Sequence, residues 1–131
     1  MVEAVVIGRL MEIEELAERV YINTVPQEEG NPYAVVYVVS TSPTSVKDTV
    51  SPIDRIRVQV SVFARTYLDA LSIADSVREY LDGYVSSLET ESCRFTFEDR
   101  RGDFDEGADM QLITTDFFCD HKRDISINLN N

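Results

Sequence analysis

Three groups of residues have the types and spacing to do chemistry. In the segment Arg100 to Asp109 (RRGDFDEGAD), Asp103, Asp105 and Asp109 offer carboxylate oxygens with Gly107 among them, a donor set of the kind that wraps Ca²⁺. The pattern then fails. A calcium loop beginning at Asp103 needs a bidentate Glu where Thr114 stands, and its glycine one residue beyond Gly107, so the segment reads as a solvated acidic hairpin tip. Cys93, Cys119 and His121 form the second group, soft and borderline donors that suit Zn²⁺ if their strands pair. A structural zinc takes four ligands and the chain has no CxxC, which favours two core thiols beside an exposed histidine. The third group is cationic. Arg100–Arg101 and Lys122–Arg123 are adjacent basic pairs, but both sit among acids, and they read as salt-bridge partners in place of a nucleic-acid patch.

Catalysis finds little support in these residues. His121 is the only histidine, no Cys or Ser lies in a recognisable nucleophile setting, and there is no glycine-rich phosphate loop. With 24 acidic residues in the chain, carboxylate pairs arise by chance and do not by themselves indicate general acid and base roles. No enzyme activity, metal or cofactor is therefore expected.

The charge narrows the partners further. A formal net charge of -12 over 131 residues is spread along the chain and not gathered in a tail. Wrapping nucleic acid needs clustered Lys and Arg to displace counterions, and an anionic membrane surface needs the same, so neither partner fits. No apolar run approaches the roughly 20 residues that span a bilayer. The opening MVEAVVIGRL contains Glu3 and has no basic start before a long apolar block, which argues against a secretory signal and for folding in the cytoplasm. Two cysteines are too few for a disulfide framework. The length suits one domain, here taken as residues 1–119 with a polar tail or extra strand over 120–131.

The elements that position these groups follow from hydrophobic period. From Arg55 to Ala64, Ile56, Val58, Val60, Val62 and Ala64 alternate with Arg55, Arg57, Gln59, Ser61 and Phe63, the pattern of a strand with one buried face. The period then lengthens. Leu68, Leu71, Ala74, Val77 and Leu81 recur every three or four residues and predict the apolar stripe of a helix, capped by Thr66 with Asp69 three residues on, and ended by Gly83. Val6, Leu10, Ile13, Leu16, Ala17 and Val20 predict an N-terminal amphipathic helix within Val2 to Val20. Tyr33 to Ser40 reads as a strand with both faces partly covered. Thr41 to Pro52, rich in Ser, Thr and Pro, reads as a long loop available as a contact arm. Cys93 to Glu98 and Met110 to Cys119 pair if the chain turns near Glu106 and Gly107, setting Cys93 opposite Cys119, Phe95 opposite Phe117 and Phe97 opposite Thr115. The expected class is α+β, an antiparallel sheet with helices packed on one face in the order αββαββ.

Over nearly its whole length to Cys119 the chain resembles the small tail-completion proteins of long-tailed bacteriophages, a family that includes tail-to-head joining and tail-terminator-like proteins. The likeness lies in the opening helix, in Asn31 to Tyr37 (NPYAVVY) and in Asp54 to Ala64 (DRIRVQVSVFA). It continues through Tyr67, Asp69, Ala70, Ile73, Ala74, Val77, Arg78 and Leu81 to the arginine-plus-acid hairpin Arg100 to Asp109. The polar ending Asp120 to Asn131 departs from the aromatic, basic last strand that family members often carry.

The resemblance implies a structural, non-enzymatic virion protein, assembled in the host cytoplasm. It would form a homo-oligomeric ring, most often a hexamer, at the head-proximal end of the tail, ending tail-tube growth and docking to the head connector. Its partners would be further copies of itself, the tail tube protein and the head-tail connector protein, with genomic DNA passing through the lumen without specific binding. Ser45, Val46, Lys47 and Asp48 in the loop, with Arg55, Arg57, Arg100, Arg101, Asp103 and Asp105, are the candidate subunit or partner interface residues. The alternatives are a head-tail connector or neck subunit and, from a different class, a small cytoplasmic metal- or ligand-binding module using the Asp103 to Asp109 hairpin.

Overall fold

The alternation from Ile56 to Ala64 builds the strand it predicts. In the computed structural model, which describes residues 2–25, 30–43, 53–88, 91–107 and 109–122, this strand is β3 (Ile53–Ala64), and Ile56, Val58, Val60, Val62 and Ala64 are all buried. It leads into α2 (Tyr67–Leu81), where the Thr66 hydroxyl accepts a hydrogen bond from the Asp69 N–H at 3.2 Å. Gly83 lies just beyond the helix at φ +79°, a left-handed conformation that only glycine adopts without strain.

The remaining elements are α1 (Val2–Leu10), a 3-10 turn (Glu14–Leu16), β1 (Val20–Ile22), β2 (Tyr33–Pro43), β4 (Val85–Leu88), β5 (Glu91–Asp105) and β6 (Met110–Lys122). The class is α+β as expected, but the order is not αββαββ: short β1 and β4 bring the strands to six, in the spatial order β1-β2-β3-β6-β5-β4. Nor is the sheet wholly antiparallel, since β1 runs parallel to β2 with Val20 against Ala34. Neither added strand has a sequence signal of its own. Three and four residues long, they are held by their neighbours, β4 following the backbone bonds from Gly83 N–H to Phe95 O at 2.8 Å and from Phe95 N–H to Tyr84 O at 3.0 Å.

The N-terminal helix is shorter than its apolar spacing suggests. It stops at Leu10, and Ala17 and Glu18 take positive φ values of 47° and 65°, reversing the chain into β1. Leu10, Ile13, Leu16 and Val20 are nonetheless all buried, because the 3-10 turn keeps the same spacing directed at the core. In α2 the buried stripe is Ala70, Ile73, Ala74, Val77 and Leu81, while Leu68, expected inside, is 74% exposed.

One core cluster joins Val2, Val6 and Leu10 of α1 and the α2 stripe to alternate residues of the strands, among them Val36, Val58, Val60, Phe95, Ile113 and Phe117. Burying each large side chain contributes roughly 1.5–3 kcal/mol. Two polar fastenings orient the helices. The Arg9 guanidinium donates to Tyr80 O at 2.8 Å and lies 4.3 Å from the Tyr84 ring centre, tying α1 to the end of α2. Asp82 accepts the Phe97 N–H at 2.9 Å, and Arg78 covers the Phe97 ring at 3.7 Å, tying α2 to β5.

The β5–β6 pairing corrects the expected register by two residues. Cys93 lies opposite His121, Phe95 opposite Cys119 and Phe97 opposite Phe117. The turn falls between Asp105 and Met110, further along the chain than supposed, which places Arg100 against Thr115 instead of Leu112. A bulge at Glu98, between Phe97 and Asp99, takes one residue back. An even displacement preserves sidedness, so Phe95, Phe117, Cys93 and Cys119 still share the buried face.

Candidate interaction face

The strand residues that alternate with the core face make up the second side of the sheet. Val35, Ser61, Thr114, Asp116 and Met110 are buried there too, although they lie outside the main core. At the end of the sheet where β2 begins, Tyr33 stacks on Phe63 with ring centres 4.8 Å apart, and Val35 and Met110 complete a small apolar cluster. Next along β3, the hydroxyls of Ser61 and Thr114 are hydrogen-bonded at 2.9 Å.

Charge takes over beyond that pair. Gln59, Asp116 and Asp99 are lateral neighbours across β3, β6 and β5, and Asp116 is the hub. Its Oδ2 accepts from Arg101 Nη1 at 2.8 Å and from Arg57 Nη2 at 3.3 Å, while its side chain is only 1% exposed. Arg57 also pairs with Glu98 at 3.2 Å, and Arg101 stands 3.9 Å from Asp99. The hydrogen bond to Asp116 raises the Arg101 pKa further above its ordinary value, more than its slight burial lowers it. At the far end Arg55 pairs with Asp120 at 3.2 Å, and the Phe118 ring lies 4.8 Å from the Arg55 guanidinium and 5.7 Å from that of Arg57.

Of the residues singled out from sequence, Arg55, Arg57 and Arg101 are thus brought together on this face, each engaged by a carboxylate. Arg100, one residue from Arg101, projects to the opposite side, where Nη1 meets Asp75 at 2.7 Å and Nη2 donates to Ala74 O at 3.1 Å on α2. Asp103 is exposed near the end of β5, its Oδ1 accepting the Phe104 N–H at 2.8 Å, and Asp105 closes that strand. Ser45, Val46, Lys47 and Asp48 lie outside the described residues. Asp116 was missed from sequence. An acid on this strand with Arg57 and Arg101 diagonally across it on the two flanking strands would have signalled it had the alignment of β3, β5 and β6 been known.

The two thiols of the cysteine group lie in the core. Cys93 and Cys119 are buried and not joined by a disulfide. The Cys119 thiol is pushed far up in pKa, first by its hydrogen bond with Cys93 and then by burial, so it stays protonated. Among the described residues no group of three or more His, Cys, Asp or Glu is arranged to hold a metal ion. Two shallow clefts open elsewhere, one of about 330 Å³ between Glu15, Pro32 and Ser72, the other of about 320 Å³ beside Gly8, Glu12 and Tyr84. No described helix is long and apolar enough to cross a membrane.

This architecture occurs elsewhere. A chain from the virion of a native gene transfer agent (GTA) particle has the same fold at a TM-score of 0.72, with 18% identity over 88% of this chain and 91% of that one. No curated protein matches the sequence. The family of tail completion protein gp17 matches residues 4–117, from α1 through the Phe117 core position in β6. With the match running across both helices and every strand, this chain belongs to the tail completion protein gp17 family.

Proposed function

We propose that this chain is a structural, non-enzymatic protein of the virion tail, which ends tail-tube growth and joins the tail to the head connector as a homo-oligomeric ring, most simply a hexamer. The observation that carries this reading is the family match over residues 4–117. The geometry is compatible with it. With β1 and β4 at the two ends of the strand order, their outer edges are available for neighbours. Arg55, Arg57, Arg100, Arg101, Asp103 and Asp105, together with Ser45, Val46, Lys47 and Asp48, are the proposed subunit or partner contacts. The partners are further copies of the chain, the tail tube protein and the head-tail connector protein.

The net charge of -12 gives the ring a further property. An acidic lumen repels DNA in transit and keeps it from adhering. Reversing lumen-facing acids to Lys should slow ejection, and unchanged ejection kinetics would remove this part of the reading. The assembly itself is tested by light scattering across protein and salt concentration, with electron microscopy of any large species and of mixtures with tube protein. A closed six-fold ring capping tubes of uniform length is the expected result. Tubes that grow to the same unregulated lengths with and without the protein would sink it.

A further inference from the structure

Three of the exposed large apolar side chains lie at one end of the sheet. Tyr67 and Leu68, the first residues of α2, are 51% and 74% exposed, and Phe104, near the end of β5, is 42% exposed. Ala64, Gln111 and Phe104 are lateral neighbours across β3, β6 and β5, so the start of α2 and the end of β5 lie close together. A Cβ on Gly102 would stand 3.7 Å from Tyr67 Cε1, which places the tyrosine ring over that glycine. Gly102 and Phe104 are two residues apart in a strand and face the same way, so Phe104 points to the side of the sheet on which the Tyr67 ring lies. The fold does not require these residues outside: the core stripe of α2 is complete without Leu68.

Single exposed apolar residues are ordinary, whereas two aromatics and a leucine together are what protein contacts present. Their surroundings specify the partner. Segments 65–69 and 102–110 carry Asp69, Asp103, Asp105, Glu106 and Asp109 against Arg65 alone. We propose that this end of the sheet is a docking surface for a different protein of the particle, one presenting an apolar pocket rimmed by Lys and Arg. A second copy of the chain fits less well, because it brings a further net charge of -12 to an already acidic rim. The proposal rests on the virion reading above.

Photocrosslinking in assembled particles tests it, with p-benzoylphenylalanine replacing Leu68 or Phe104 and, as control, Val39 on β2, which is 51% exposed. Both test positions should join the same second protein through a peptide containing Lys or Arg, and the control should not. Leu68→Ser should reduce incorporation into particles about 10-fold, the size of one lost contact at the centre of an interface, with an unchanged Tm. Glu106→Lys should weaken the Phe104 crosslink. Crosslinks to another copy of this chain, or none in particles that contain it, would overturn the proposal while leaving the virion reading standing. Particles that lack the chain altogether would remove that reading, and the proposal with it.

Discussion

The carboxylate of Asp116 stands between two guanidinium groups, 2.8 Å from Arg101 Nη1 and 3.3 Å from Arg57 Nη2, on the side of the sheet away from the main core. The arginines are about one-third to one-half exposed and can rehydrate when released, but the carboxylate, 1% exposed, cannot. Removing either arginine leaves Asp116 one counterion, and each single change, Arg57→Ala or Arg101→Ala, should cost roughly 1–2 kcal/mol. The double variant leaves a buried charge unpaired and should cost about 3–5 kcal/mol, more than the singles combined. Urea denaturation of the four proteins measures this. Strict additivity would mean that water reaches the acid once its arginines are gone.

A second expectation concerns alkaline pH. The Cys119 thiol is raised in the folded state above its ordinary value of 9.0. Folded protein therefore holds this proton where unfolded chain releases it, so stability is complete below the unfolded pKa and falls as pH rises above it. Each further unit costs up to about 1.4 kcal/mol per thiol. Between pH 8 and pH 10 the wild type should lose roughly 1–2 kcal/mol more than Cys119→Ala, measured by denaturant midpoints. Parallel losses in the two proteins would refute the coupling.

The two ends of α2 should respond oppositely to truncation. Leu81 is fully buried and Leu68 is 74% exposed, although both fit the same helical spacing. Leu81→Ala should destabilise by about 2–5 kcal/mol, and Leu68→Ala should stay within about 0.5 kcal/mol. Thermal unfolding distinguishes them, and equal losses would place Leu68 in the core after all.

The helix boundaries offer a smaller test. Thr66→Ala removes the acceptor for the Asp69 N–H and should cost about 1 kcal/mol. Gly83→Ala forces a Cβ into a φ of +79° and should cost about 1–2 kcal/mol even though open space surrounds it. A neutral Gly83→Ala would show that the loop relaxes out of the left-handed region.

Much of this architecture was legible in the residues themselves. Ile56 to Ala64 and Thr66 to Gly83 carry period, cap and stop together, and all of these signals agree, so the strand, the helix and its boundaries could be read directly. The pairing of Phe95 and Phe117 was legible only as a shared face. Register depends on where the hairpin turns and on the bulge at Glu98, and neither leaves a mark in the hydrophobic pattern. The same limit concealed Asp116, since its role exists only once β3, β5 and β6 are aligned. Leu68 misled because spacing reports which residues share a helical face and not how far along that face the core extends. At the N terminus, positive φ at Ala17 and Glu18 ended a periodicity that burial itself continued.

The bulge at Glu98 divides β5 into two phases. Before it, Phe95 and Phe97 point into the core; after it, Arg100 reaches α2 while Arg101 reaches Asp116. Phe97 pairs with Phe117 and Asp99 with Asp116, so deleting Glu98 would convert the bulge into a regular ladder and keep both destinations, losing only the Arg57–Glu98 ion pair. Residues added between Asp105 and Met110 would extend the hairpin without changing the facing of anything behind it. Related chains should accordingly vary in length at the tip of this hairpin and, where they lack the bulged residue, still send the two guanidinium groups to opposite sides of the sheet.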